Sequence, residues 1–387
     1  MTDLDRSKPH VYWDHCASTP VSPTVIEAMV RSIQNHSANP SSSHIWGYAV
    51  REEIEEARDH LARLLKVQAR EIFFTGGATE ANNLAILSGF KRVGSHHIIS
   101  QTTEHSAVLK PIQALVDQGC EASILPVDSK GYVSPEQIKE SITPHTRLVS
   151  IMHINNEIGT MQAIAEMTEV INQYAHPDCL FHVDGAQSTG KVPIDLKELD
   201  IDLFSLSAHK FYGPKGVGAL YVNRKSSRRS KTLKLPPLTF GGQHERGLRP
   251  GTLASHQIVA LGQAAKEAEQ QLCTFQYHRL SQLVGQLHQG LTKLDPQAQR
   301  QGGGEAPHVL SLTVSPDTLA AIEHIWGHIA FSRGSACQSN AKQASHVLRA
   351  LGLSSEEANR TLRFGLGRSN SSIEIQNNLK LLQTYLN

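Results

Sequence analysis

The sequence predicts an α/β fold: a mostly parallel sheet buried on both faces, joined by a second, smaller α+β domain. Three observations predict it. Between about residues 71 and 223, short apolar runs alternate with amphipathic stretches. The runs are continuously apolar, as expected of strands covered by helices on both faces. The length of 387 residues also exceeds the ~250–300 at which single cores stop growing.

The elements follow in order. Pro23–His36 and Ile45–Leu65 read as leading helices, the first with proline in its opening turn, where no hydrogen-bond donor is lost. Seven runs read as strands: Glu71–Phe74, His97–Ser100, Ala122–Val127, Leu148–Ile154, Leu180–Val183, Asp202–Leu206 and Val217–Val222. Helical patterns such as Thr79–Val93 and Ile164–Tyr174 lie between them. After the turn-rich stretch Pro236–Thr252, a helical pattern runs over Ser255–Leu294. It is longer than an ordinary globular helix, so it either bridges two lobes or breaks near Gln276. Val309–Val314, Ile329–Ser332 and Leu362–Leu366 are expected as strands among further helices. Residues 20–260 are assigned to the large domain, and residues 1–19 with 261–387 to the small one.

Composition narrows the function. Lysine plus arginine total 37 against 36 acidic residues, a net charge of +1, unlike the basic excess of a nucleic-acid binder. No apolar run approaches the ~18 residues of a membrane span. The opening residues carry no apolar segment, so no secretory signal is expected. The five cysteines, at 16, 120, 179, 273 and 337, include no Cys-x-x-Cys pair. A cytoplasmic, reducing setting is the expectation. His324 and His328 can share a helix face, but no third ligand is evident and no metal is expected. The run Gly302-Gly303-Gly304 reads as a flexible loop, and Cys16, Cys120, Cys179 and Cys273 as structural.

Three segments carry chemistry. In Phe73-Phe74-Thr75-Gly76-Gly77-Ala78-Thr79-Glu80-Ala81-Asn82-Asn83 a strand ends in two glycines and a helix opens, exposing backbone N–H groups to an anion. The plainer reading is a strand–helix turn capped by Thr79. In Ser205-Leu206-Ser207-Ala208-His209-Lys210, a lysine just past a buried strand can be desolvated and form a Schiff base. Lys215 competes, though Gly-Pro-Lys-Gly suits a solvated loop. In His182-Val183-Asp184-Gly185-Ala186-Gln187, a carboxylate ends a buried strand, where open α/β sheets place ligands. Singly, Asp184 is equally a helix cap. Together, cradle, aspartate and lysine fit pyridoxal phosphate, with phosphate in the cradle, the pyridinium nitrogen at Asp184 and the Schiff base at Lys210.

With these motifs in place, the chain resembles the cysteine desulfurases of the NifS/IscS kind, in the class V branch of fold-type I pyridoxal phosphate enzymes. The likeness runs from Tyr12-Trp13-Asp14 to Arg363-Phe364-Gly365-Leu366-Gly367-Arg368. It implies a large domain built on a mostly parallel seven-stranded sheet, and a small domain carrying a nucleophilic cysteine loop. It implies that His105 stacks on the cofactor ring and assists proton transfer, and that Asn156 lies beside ring and substrate carboxylate. Gln187 matches the glutamine near the phenolic oxygen, and Ala78, Thr79, Ser207 and His209 match phosphate-binding positions. Asn39 and Arg363 match positions that bind the substrate carboxylate, a task for which arginine's planar fork is suited. Thr252 matches a threonine reaching the neighbouring subunit's phosphate, which implies a homodimer with shared sites. In Gly334-Ser335-Ala336-Cys337, the cysteine matches the nucleophile that accepts sulfur.

The reading is therefore conversion of L-cysteine to L-alanine, leaving a persulfide on Cys337 for a sulfur-acceptor protein in iron–sulfur cluster assembly or thiolation. The stretch from Ala336 to Gly352 has the long-loop form of the IscS-like subgroup. A cysteine, cystine or selenocysteine lyase of the same family is the nearest alternative, and a weakly active sulfur-relay partner is the alternative outside catalysis. The chain departs from the family pattern at Trp13, His15, Cys16, Ser18, Ala208 and Arg333. It is also expected to lack the C-terminal extension that helps such enzymes dock their scaffold.

Overall fold

A computed structural model describes residues 11–90, 97–225, 232–273, 276–325, 328–333 and 344–386. Strand β1 (Val11–Tyr12) precedes the leading helices Pro23–Asn35 and Ile45–Leu65 and strand β2 (Ile72–Thr75). Then come β3 (His97–Gln101), β4 (Glu121–Leu125), β5 (Thr146–Met152), β6 (Leu180–Asp184) and β7 (Leu203–Ser207), each after a helical connection, and β8 (Gly218–Val222). β2 to β8 form one seven-stranded sheet in the order β2-β8-β7-β6-β5-β3-β4. β3 to β7 are mutually parallel, and β8 runs antiparallel to both β2 and β7. The reversal follows from connectivity: residues 208–217, with one short helical turn, join β7 to β8, and no crossover helix carries the chain back. Each of the seven predicted runs lies within two residues of its strand.

The second sheet is smaller. β9 (Gln299–Gln301), β10 (Val309–Thr313), β12 (Ser332–Arg333) and β13 (Thr361–Gly365) make an antiparallel sheet, while β11 (Ile329–Ala330) pairs in parallel with β1. The strand expected over Ile329–Ser332 is thus divided at Phe331, whose buried ring turns into the small apolar cluster as the chain changes partner. The Gly302-Gly303-Gly304 segment packs as an ordered turn, with the Gly303 N–H donating to Thr160 Oγ1 (3.0 Å). It is a loop between β9 and β10, as its composition implied.

The long helical pattern breaks as one of its two readings required, into Ser255–Leu272 and Gln276–Leu294. Ala260, Leu261, Ala264, Ala265 and Ala268 of the first helix bury into the core cluster of the large sheet. Leu283, Leu287 and Leu291 of the second join the cluster around β10 and β13, together with Trp13. His324 stacks on the Tyr385 ring at 5.6 Å.

β2 is an edge strand, and side chains satisfy its outward backbone groups in place of a further strand. The Phe74 N–H donates to Glu245 Oε2 (2.7 Å), and the Ile72 carbonyl accepts from Arg58 Nη1 (2.9 Å) and Arg246 Nη2 (2.6 Å). Arg58 and Glu245 form a buried two-pronged pair, both contacts at 2.8 Å. Glu245 and Arg246 hold left-handed backbone angles (φ 46° and 56°), a strain of about 1–3 kcal/mol each that these bonds offset. Glu245→Gln takes away the buried countercharge of Arg58 and leaves it only the half-exposed Glu55 (3.1 Å). The expected loss is about 3–5 kcal/mol, read as a lower urea midpoint; an unchanged midpoint would show that the edge does not depend on the pair.

Candidate active site

The carboxyl ends of the parallel strands open onto a cavity of about 370 Å³, a size suited to a cofactor. Its anion-facing end lies between β2 and the helix that begins at Ala78 and continues through a π turn at Leu84–Ser88. The residue opening that helix is Gly77 (φ 143°), not Thr79, and no side chain caps it. Only glycine fits twice here. A Cβ on Gly218 of β8 would lie 2.7 Å from the Gly77 Cα and 2.3 Å from the Leu206 oxygen. A Cβ on Gly77 would meet Ser207 Oγ at an ordinary 3.6 Å, but the φ of 143° is one that L side chains rarely adopt. Ala78, Thr79, Ser207 and His209 all line the cavity. Burial, with Lys210 and Lys215 nearby, lowers His209 to about 4, so its ring is neutral at physiological pH.

Asp184 ends β6 with both carboxylate oxygens oriented. Oδ2 accepts from Asn82 Nδ2 (2.7 Å) and Oδ1 from the Ala186 N–H (2.9 Å). Asn82 stands inside a motif visible in the sequence, but nothing there pairs it with a residue 102 positions away. Lys210 closes the short helical turn after β7, and its Nζ donates to the carbonyls of Cys16 (2.7 Å) and Ala17 (3.0 Å). Lys215 also lines the cavity, at its exposed rim.

His105 combines two readings: it lines the cavity and its Nδ1 accepts from the Ala107 N–H (3.1 Å) at the start of the helix Ser106–Val116. Gln187 donates to the Cys16 carbonyl (2.8 Å), and its Oε1 lies 3.3 Å from His308 Nε2. Cys16 therefore belongs to the cavity wall, beyond the purely structural role expected of it. Arg363 is 2% exposed, pairs with Asp14 (2.9 Å) and donates to the Asn156 carbonyl (3.0 Å).

Three expected site residues stand apart. Asn39 is exposed and does not line this cavity; its Oδ1 accepts from the Ser41 N–H. Its short polar segment carries no signal of where the preceding helix will place it. Thr252 is likewise exposed and outside the cavity wall. Cys337 lies outside the described residues.

Beneath the site, Glu104 is fully buried. Its Oε1 accepts from the Met152 N–H (2.5 Å) and Gln101 Nε2 (2.9 Å), while Oε2 has no partner among the described residues. Burial, and then the Asp184 charge, push its pKa up to about 8. A carboxyl raised on folding contributes stability that is complete below its ordinary range and is lost as pH rises through about 8. In thermal melts of cofactor-free protein from about pH 6 to about pH 9, the wild type should lose stability more steeply than Glu104→Gln. Parallel curves would mean that Glu104 ionises equally easily folded and unfolded.

The Aminotransferase class-V family model matches residues 11–377. The chain is 40% identical over 380 residues to "Cysteine desulfurase IscS" of Colwellia psychrerythraea, covering 96% of this chain and 92% of that one. A solved "NifS-like protein" superposes with a TM-score of 0.88 at 32% identity, over 97% of this chain and 99% of the other. A structure titled "SspA in complex with cysteine" gives 0.80 at 36%, over 92% and 98%. These relatives are pyridoxal phosphate enzymes, and the donor cradle, the oriented carboxylate and the primary amine fit that cofactor. Matched over nearly its whole length in both sequence and fold, the chain belongs to the aminotransferase class-V family.

Proposed function

We propose that this chain is a pyridoxal phosphate-dependent cysteine desulfurase. The observation that carries the reading is convergence: an amine, an oriented carboxylate, an imidazole and a buried guanidinium meet at one cavity in a chain with desulfurase relatives. The bound cofactor supplies an electron sink that acidifies the Cα proton of an amino acid. Gly77, Ala78, Thr79, Ser207 and His209 would hold its phosphate, and Asp184, kept in place by Asn82, its ring nitrogen. Gln187, held by the Cys16 carbonyl, would face its phenolic oxygen.

The protein groups then divide the work. Arg363, fixed by Asp14, takes the substrate carboxylate beside Asn156. Lys210 removes the Cα proton; its amine already sits against two carbonyls that keep it in reach. His105 serves proton transfer on the ring side. The Cys337 thiolate attacks the substrate sulfur: an S–S bond forms, the Cβ–S bond breaks, and Cβ gains the proton that completes alanine. L-cysteine plus an enzyme thiol gives L-alanine plus an enzyme persulfide, with no outside oxidant. A sulfur-acceptor protein then takes the persulfide sulfur. Thr252, exposed on this subunit, would serve the phosphate of a second copy, making the working form a homodimer. No helix among the described residues is long and apolar enough to cross a membrane.

Holoenzyme incubated with L-cysteine and a reductant should release alanine and sulfide in equal amounts. Lys210→Ala should abolish turnover. Cys337→Ala should keep the yellow bound cofactor yet lose sulfur transfer. Pyruvate and ammonia in place of alanine would overturn the proposal in favour of β-elimination. Arg363→Lys, which keeps the charge but loses the fork, should raise KM for cysteine about tenfold or more. An unchanged KM would remove Arg363 from carboxylate binding.

A further inference from the structure

We propose that a small cavity behind Lys210 binds a single monovalent anion of halide size, chloride being the abundant example. The cavity, about 20 Å³, is lined by Lys191, Tyr212, Gln271, Leu272, Tyr277 and Arg368 among others. That is room for one small species, since a single water needs ~10–15 Å³ on this scale.

The polar lining offers donors. Lys191 is 3% exposed, and its Nζ has no hydrogen-bond partner among the described residues. Arg368 gives Nη1 to Glu267 (3.1 Å), but its Nη2 is buried and likewise without a partner among them. Both cations lie over the Tyr212 ring, at 5.2 Å and 3.9 Å from its centre. The Tyr212 hydroxyl oxygen already accepts from the Arg368 backbone N–H (2.7 Å), which leaves its proton to donate. An ammonium has three donors and no acceptor, and a guanidinium only donors. Water set between Lys191 Nζ, Arg368 Nη2 and the Tyr212 hydroxyl proton would find no acceptor in those three groups for its own hydrogens, whereas an anion accepts from all three.

The charges agree with the hydrogen bonds. Glu267 is committed to Arg368 and to the hydroxyls of Ser22 and Thr24. Among the described residues, the other titratable groups around Lys191 supply no negative charge. Cys16 is raised by burial and so remains a thiol, His15 and His308 are lowered by burial and by Lys191 itself, and Lys210 is a further amine. Desolvation brings Lys191 down to about 8, so at neutral pH it is still mostly charged and lacks a carboxylate partner. A buried charge in that position is costly unless paired. Leu272 and Tyr277 also line a surface cavity of about 610 Å³, so only the side chains of a shared wall separate the small cavity from the surface.

The test uses the holoenzyme. Crystals grown in sodium bromide should show an anomalous peak between Lys191 and Arg368; its absence would overturn the proposal. In solution, chloride titrated against gluconate at constant ionic strength should raise the melting temperature saturably. Lys191→Met should weaken that response at least about tenfold, as expected for a lost charge-assisted contact. Should that variant fail to fold, the wild type decides alone. Its chloride response should vanish as pH rises well above 8 and Lys191 loses its proton. A response equal for chloride and gluconate, or unchanged at high pH, would refute the site.

Discussion

The N-terminal strap, residues 11–19, ties the two sheets together, and the active site depends on it. On one side β1 pairs with β11, Trp13 and His15 exchange backbone bonds with Gly365, and Asp14 holds Arg363 and Ser332. On the other, Cys16 and Ala17 offer their carbonyls to Lys210 and Gln187, while Thr19 bonds the backbone of His209 and Tyr212. Few residues join so many partners. The lysine turn of the large sheet and the arginine of the small one are therefore set relative to each other by a single extended segment. The same strap holds most of the chain's departures from its family pattern, at Trp13, His15, Cys16 and Ser18. The bonds to Lys210 and Gln187 come from backbone carbonyls, which tolerate a change of side chain.

Beneath the cavity the large sheet carries buried polar side chains that are paired across its strands, although Glu104 Oε2, Thr102 Oγ1 and Thr103 Oγ1 have no partner among the described residues. His182 bridges Ser150 (2.8 Å) and Ser205 (2.9 Å) across three parallel strands, and burial lowers it to about 4, so it acts as a neutral connector. Asn82 completes Asp184, and Gln162 supports Gln101, which in turn holds Glu104. Such networks restrict side chains to one arrangement, because any alternative leaves a buried group unsatisfied. Apart from Asn82 and Asp184, the members of this network lie outside the cavity wall.

Electrostatics divide the molecule behind Lys210 from the molecule in front of it. In front, Asp184, Asp14 and Arg363 are each matched by a partner. Behind, Lys191 and Arg368 press on one tyrosine ring whose backbone is itself left-handed (φ 69°), and Glu267 is the carboxylate that pairs with Arg368 among the described residues. The Arg58–Glu245 pair plays a third role, replacing a neighbouring strand at the sheet edge that leads into the phosphate cradle.

The seven core strands, the leading helices and the break near Gln276 were legible in the sequence because burial on both faces leaves continuous apolar runs, and helical periodicity survives until a connection interrupts it. β1 and β9 were not, since short strands such as Gln299–Gln301 bear no apolar signature. The residue types at Lys210, Asp184, His105 and Arg363 announced their chemistry through local motifs. Their partners did not. Asp14 meets Arg363 across 349 positions and Asn82 meets Asp184 across 102, and hydrogen bonds between distant side chains leave no trace in local pattern. By itself the sequence determined the sheet, its order of elements and the reactive groups, because those follow from short-range periodicity and chemistry. Only the tertiary structure decided which carbonyls hold the lysine, that Asn39 stands outside the cavity, and where Lys191 lies buried, because each depends on chain segments meeting in space.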